Sequence, residues 1–226
     1  SFMKEYGTVF KVYDDQDSGN ICFGTEKDGQ RYFVKFAGAP TEQFGGDPAD
    51  AISRLKATLP IYSDLKHENL IELIEAKEIG DGFAMVFKWA DSDCMGRMYP
   101  AAHRRFMQLP INDRLAVFSD ILSFLECVAS RKYVAIDFYD GSIMYDFANG
   151  KTTICDIDLF HKQPCVNDMG RMWGSSRFQS PEEYQLGADI DEITNVYTLG
   201  ATAFALFGEY NRTREKWQLS DKLFEI

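Results

Sequence analysis

The sequence predicts an α+β protein in two parts, and three observations carry that expectation. As far as Trp89, short β-rich runs alternate with tight turns. Beyond it, residues 110–130 and 193–207 carry helical apolar patterns. A chain of 226 residues also suffices for one ample domain or two small lobes, and for little more.

The elements follow in order. Residues 6–13 are β-rich, and the polar cluster DDQDSGN at 14–20 reads as a turn. Residues 21–25 and 31–37 are two further strands around Lys27-Asp28-Gly29, which makes an antiparallel meander. A Gly/Pro/Asp-rich loop at 39–50 leads to a helix over 48–56 that should stop near Pro60. Residues 70–76 and 83–89 are two more strands around Gly80-Asp81-Gly82. Pro110 and Asn112 open a helix whose apolar stripe is Leu115, Phe118, Leu122, Leu125 and Ala129. Residues 133–136, 143–145 and 152–155 are short β-like pieces, and 193–207 is apolar on nearly all sides, as in a buried helix.

Composition excludes several classes. Aromatic residues reach 14%, which no disordered chain carries. A net charge of −11 disfavours a nucleic-acid binder, since phosphate backbones need basic surfaces. No run approaches the roughly 20 apolar residues of a membrane helix. No secretory leader opens the chain, and Ser1 and Phe2 ahead of Met3 read as an expression scar. Five widely spaced Cys make neither a disulfide framework nor a zinc site, so a reducing cytoplasm is expected.

The chemistry should sit in acidic turns of the back half. Asp137 follows a β-like run in YVAIDFYDGSIMYDF, and Asp156 and Asp158 follow another in TTICDIDLF. Turns favour Asp for purely structural reasons. Two such turns side by side would nevertheless hold a divalent cation and orient a nucleophile. Lys35, in the middle of the apolar strand FVKF, requires an anionic partner.

The order of Lys35, FAMVFKW, Asp137, Ser142, Asp156, Ser180-Pro181-Glu182 and Asn195 resembles that of the protein kinases, above all small bacterial serine/threonine kinases of eukaryotic type. The resemblance implies a two-lobed fold. A β-rich N-lobe over 3–90 would end in a hinge, and a helical C-lobe over 91–226 would be minimal or truncated. It implies ATP with Mg²⁺ as cofactors and a protein Ser/Thr hydroxyl as acceptor. Lys35 matches the lysine that holds the α/β-phosphates. Gly19 is what remains of the Gly-rich loop. Phe87 matches the gatekeeper, and residues 88–90, from Lys88 to Ala90, match the hinge that meets adenine. Asp137 matches the catalytic-loop Asp and Asp156 the metal-binding Asp of D-F-G. Ser142 stands at the metal-binding Asn, and Ser180-Pro181-Glu182 resembles A-P-E.

The departures are specific. Ala135-Ile136 replaces His-Arg, and Ile157-Asp158 replaces Phe-Gly. No acid stands near Thr58, where the partner of Lys35 belongs, which leaves Glu42, Asp47 or Asp50. Asp158, two residues from Asp156 on an extended segment, would supplement the metal site. Arg212 or Arg214 would pair with Glu182. Met85, Met95 and Met98 are expected in the core, Trp89 and Trp173 in packing roles, and His67 at a capping turn. Met172, Trp173 and Phe178 would pack the activation segment without a phosphate on Ser175, Ser176 or Ser180. An aminoglycoside-type phosphotransferase and a nucleotide-binding pseudokinase are the alternatives.

Overall fold

A computed structural model describes residues 5–14, 18–41 and 43–225. The chain is α+β and divides into two compact units, one of residues 1–63 and 71–91, the other of 64–70 and 92–226.

The first unit is a five-stranded antiparallel sheet with helices. Its strands are β1 (Thr8–Tyr13), β2 (Asn20–Lys27), β3 (Gln30–Ala37), β4 (Leu73–Ile79) and β5 (Gly82–Lys88), in the order β1-β2-β3-β5-β4. Val34, Ala84 and Val86 are fully buried with Tyr6, and Phe23, Tyr32 and Phe36 close around them. Helix α1 (Pro48–Ala57) begins where expected. Asp47 caps it, accepting the Ala49 N–H at 2.9 Å, and Pro48 fills the first turn. Pro60 does not end helical structure: α2 (Leu59–Asp64) carries it in its own first turn, where no N–H is needed. The fourth strand starts three residues later than expected, because Leu70 bridges Ile154 and belongs to the second unit.

The second unit is built on helices. β6 (Asp93–Cys94) precedes α3 (Pro100–Met107) and α4 (Ile111–Ser130). β7 (Tyr133–Val134), the hairpin β8 (Ile143–Asp146) to β9 (Lys151–Ile154), β10 (His161–Lys162), β11 (Cys165–Val166) and β12 (Asp189–Ile190) follow. α5 (Glu192–Phe207) and α6 (Asp221–Phe224) end it. Phe160 meets both Phe124 of α4 and Phe138, at ring separations of 6.2 and 6.4 Å.

Both helical stripes differ from expectation. α4 buries Arg114, Val117, Ile121, Phe124, Leu125 and Val128, a face turned by one residue from the one the apolar pattern picks, and Leu122 is exposed. Arg114 belongs to that face because each of its three guanidinium nitrogens finds an acceptor. It donates to the carbonyls of Leu109 (3.2 Å) and Leu206 (2.6 Å) and to the Gln218 side chain (2.7 Å). On α5, Ile193 and Val196 are exposed, while Thr194, Asn195, Thr198 and Thr202 are buried. Polar groups that bond locally or across the fold displaced apolar ones from the interior. Met85 and Met95 are core residues, but Met98 is exposed on the approach to α3, and Trp173 is exposed as well. Trp89 packs edge-on against Phe10. His67 accepts the Asn69 N–H and packs on Phe124, the capping role expected of it. Among the described residues, no helix is long and apolar enough to cross a membrane.

Candidate functional site

In the first unit Lys35 stands in the middle of β3, half-buried, in register with Cys22 on one side and Met85 on the other. Strand alternation therefore gives these three residues one face of the sheet. Met85 also touches Thr58, whose hydroxyl donates to the Leu55 carbonyl at 2.8 Å, so the position expected to hold an acid carries a capped Thr. Asp47 is committed to capping α1, and Asp50 lies exposed in the first turn of that helix. Glu42 lies outside the described residues.

Gly19 occupies the turn between β1 and β2 with φ of +80°, and a Cβ there would collide with the Phe44 ring at 2.7 Å, so glycine is required twice over. Asp15, Gln16 and Asp17 of the same turn lie outside the described residues. Phe87 is buried on β5 between Phe33 and Tyr62. In the segment expected to form a hinge, the Lys88 N–H donates to Glu72 at 2.9 Å and the Trp89 N–H to Arg31 at 3.1 Å. The Ala90 N–H makes no bond to a described residue.

The second unit brings the predicted acids together by simple topology. β8 and β9 pair with Ile143 opposite Ile154, so the residues flanking the hairpin, Ser142 and Cys155, face each other. The Cys155 N–H donates to the Ser142 carbonyl at 2.9 Å, which sets Asp156 beside the loop that carries Asp137. Asp137 (φ +60°) and Asp156 (φ +57°) both hold the left-handed conformation, which side chains other than Gly, Asn and Asp rarely adopt. Phe138 is buried and anchors the loop, and Asn195 of α5 grips it from below. The Asn195 amide accepts the Ala135 N–H (2.8 Å) and donates to the Tyr133 carbonyl (3.0 Å).

Tyr139 is the centre of this arrangement, and sequence reasoning passed over it. Burial pushes its phenol well above the ordinary range, and the charges of Asp137, Asp156 and Asp140 push it further. Its phenol therefore stays protonated. Its ring lies over Gly141, where a Cβ would come within 2.3 Å. Cys94 lies at the same place, its thiol pushed up to about 11 by burial, against a hydrogen bond from the Gly96 N–H, with Asp140 and Asp156 adding to the rise. Asp140 is buried and accepts the Tyr210 hydroxyl at 2.5 Å. No local signal distinguishes Asp140 from an ordinary turn Asp, because its partner is 70 positions away.

Asp158 departs from expectation. The chain turns after Asp156, with the Phe160 N–H donating to Ile157, so strand alternation does not hold and does not put Asp158 on the side of Asp156. Ser142 is fully buried, and its hydroxyl has no hydrogen-bond partner among the described residues. Among the described residues no group of three or more His, Cys, Asp or Glu is placed to hold a metal. Mg²⁺ does not need one, since it binds through one or two carboxylates together with substrate phosphates. The exposed Asp156 and the orphaned Ser142 hydroxyl fit that use.

The segment 165–190 is fastened by neutral amides. Asn167, fully buried, accepts the N–H groups of Met169 and Gly170 and donates to the Gly170 and Glu182 carbonyls. Gln179 donates to the Met172 and Trp173 carbonyls and accepts the Tyr184 hydroxyl. Ile136 packs with Val134 and Ile190, and Met172 closes on them. Ser180 is fully buried, its hydroxyl bonded to Glu183 in a capping box, so it is no accessible modification site. Glu182 accepts the Thr194 hydroxyl at 2.7 Å. Arg212 binds the Tyr197 hydroxyl and Arg214 binds Asp221 and Glu225, so neither is the expected partner of Glu182.

In comparisons with known proteins, no family profile and no curated protein matches the chain.

Proposed function

We propose that the protein is a phosphotransferase of protein-kinase type, two-lobed, transferring phosphate from ATP to a protein Ser or Thr hydroxyl. One observation carries the reading. Asp137 and Asp156, 19 positions apart, both sit at positive φ, and the Cys155 N–H bond to the Ser142 carbonyl brings the turn of Asp156 alongside the loop of Asp137. Residues held in sparse backbone regions concentrate at working sites. The setting of Lys35 supports it: the phosphate-holding lysine of kinases belongs on the third strand, and Lys35 is on β3.

In this reading Asp137 accepts the proton of the acceptor hydroxyl as its oxygen bonds to the γ-phosphorus and ADP leaves. Asp156 and the Ser142 hydroxyl would hold Mg²⁺. The chemistry that the cation would supply is neutralisation of phosphate charge. Lys35 would hold the α/β-phosphates and the Ala90 N–H would meet adenine, with Phe87 as gatekeeper and Gly19 as the remnant of the Gly-rich loop. Tyr139, kept protonated, offers a hydrogen bond to the oxygens in transit. The cost of such a reaction is chiefly that of positioning and charge neutralisation, which rigid turns supply.

The test is incubation with labelled ATP, Mg²⁺ and a generic protein acceptor. The control is Asp156→Asn, because Asn keeps the left-handed backbone where Ala would add about 1–2 kcal/mol of strain. Label that appears with the parent protein and vanishes with the variant is the expected result. A folded parent that labels neither itself nor any acceptor sinks the reading.

A further inference from the structure

Around Tyr210 the second unit gathers positive charge that the transfer chemistry does not use. The guanidinium carbon of Arg97 lies 4.9 Å from the Tyr210 ring centroid and that of Arg177 lies 5.1 Å from it. The His103 ring lies 5.6 Å from the same ring, fixed by its Nδ1–H, which donates to the Met95 carbonyl at 2.9 Å. An aromatic face attracts cations, so one ring holds two arginines that would otherwise repel each other. The chain carries a net charge of −11, which makes such a gathering of cations at one point notable in itself.

Arg97 keeps its hydrogen-bonding capacity whole, and Arg177 spends part of its own on Asp140. Arg97 is exposed and makes no hydrogen bond or ion pair to any described residue. Arg177 is exposed too, and its contact with Asp140 is long, at 3.5 Å. Asp140 gives its shorter bond to the Tyr210 hydroxyl, which fixes the ring under both cations. The backbone is spent on the same end: Glu209 and Tyr210 are consecutive left-handed residues, at φ of +51° and +62°. The patch adjoins the candidate catalytic loop. Tyr139 packs on Phe178, and Phe178 packs on Tyr210, each at 6.4 Å.

We propose that Arg97 and Arg177 bind an oxyanion on the acceptor peptide, so that the protein selects Ser or Thr hydroxyls flanked by Asp, Glu or phosphoserine. The proposal rests on the phosphotransferase reading for the hydroxyl, but not for the anion site. Guanidinium groups pair with carboxylate and phosphate in the same planar, two-pronged way. A polycationic aminoglycoside would be repelled at this place.

The experiment uses the full chain and fluorescein-labelled serine peptides in an anisotropy titration. One peptide carries Asp and Glu flanks, one phosphoserine, and one the amides Asn and Gln. At least one anionic peptide should bind about fivefold more tightly than the amide peptide, a preference that fades as salt screens it. The stronger of the two anionic peptides identifies the source of the oxyanion. The preference should be lost in Arg97→Gln, whose exposed site leaves the fold intact, and reduced in Arg177→Gln. Equal binding of all three peptides, or a preference untouched by both variants, overturns the proposal. Transfer measured in parallel separates the two ideas. Arg97-dependent binding without transfer to any peptide keeps the anion site and removes the phosphotransferase reading. Transfer without charge preference does the reverse.

Discussion

The Asn195 side chain, in the first turns of α5, holds the Ala135 N–H at 2.8 Å, two residues ahead of Asp137, and returns a hydrogen bond to Tyr133. Only a group with both a donor and an acceptor satisfies these two buried backbone groups. An ionised Asp at this position can keep the first bond but sets a charge against the Tyr133 carbonyl. Asn195→Asp should therefore destabilise the protein by about 1–3 kcal/mol at neutral pH. The new carboxyl would have a folded pKa above its unfolded value. Its stabilising protonated form is present below the unfolded value and lost as pH rises through the folded one. Urea midpoints at acid and neutral pH check this: a deficit that does not shrink in acid argues against it.

Asp137→Asn should lower phosphoryl transfer by about 10²–10⁴-fold, because an amide cannot take the hydroxyl proton. Asn tolerates the φ of +60°, so folding and nucleotide binding should survive. Calorimetric titration with a nucleotide, alongside steady-state rates, separates the two effects. Near-parental turnover would remove Asp137 from the mechanism.

The segment 165–190, the activation segment of the proposed reading, should be ordered without phosphate. Asn167, Gln179 and the contact of Met172 with Ile136 and Ile190 do the holding that an Arg–phosphate pair does elsewhere. Phosphatase-treated protein should keep its activity. Asn167→Ala should speed hydrogen exchange across residues 165–190, because it strips partners from buried backbone groups. Activity that disappears on dephosphorylation and returns on phosphorylation of Ser175 or Ser176 contradicts this account.

Arg114 is buried and makes no ion pair with a described residue; its bonds to Leu109, Leu206 and Gln218 tie α4 to the end of α5. Burial lowers its pKa, but a guanidinium stays charged. Arg114→Ala should cost about 3 kcal/mol, and Arg114→Lys should recover little, since one ammonium cannot reach three acceptors in a plane. Chemical denaturation of both variants measures this. A parental midpoint in Arg114→Lys would show that charge alone suffices.

Glu183 gives a pH dependence of known sign. Burial raises its pKa above the ordinary carboxylate range, against the hydrogen bonds from the Ser180 N–H and hydroxyl. The folded state therefore binds the proton more tightly than the unfolded chain. That contribution is fully present below the unfolded pKa and is lost as pH rises through the folded one. Glu183→Gln keeps an acceptor for Ser180 and has no charge to bury, so its stability should fall less over that interval. Thermal midpoints of the two proteins across the acid range are the check. Parallel curves would show that Glu183 carries no net penalty.

The sequence by itself determined the α+β class, the antiparallel strands of the first unit, and the turns that carry Asp137 and Asp156. Those features are local, since alternation, turn residues and proline act within a few positions. Tertiary structure alone decided which face of α4 is buried, because Arg114 finds its acceptors at Leu206 and Gln218, about a hundred positions away. It likewise decided that Asp140 serves Tyr210, that Arg97 and Arg177 share one ring, and that Asn167 rather than a charge pins the long segment. A buried polar group takes its meaning from the partner that satisfies it, and that partner is fixed by the fold and not by sequence spacing.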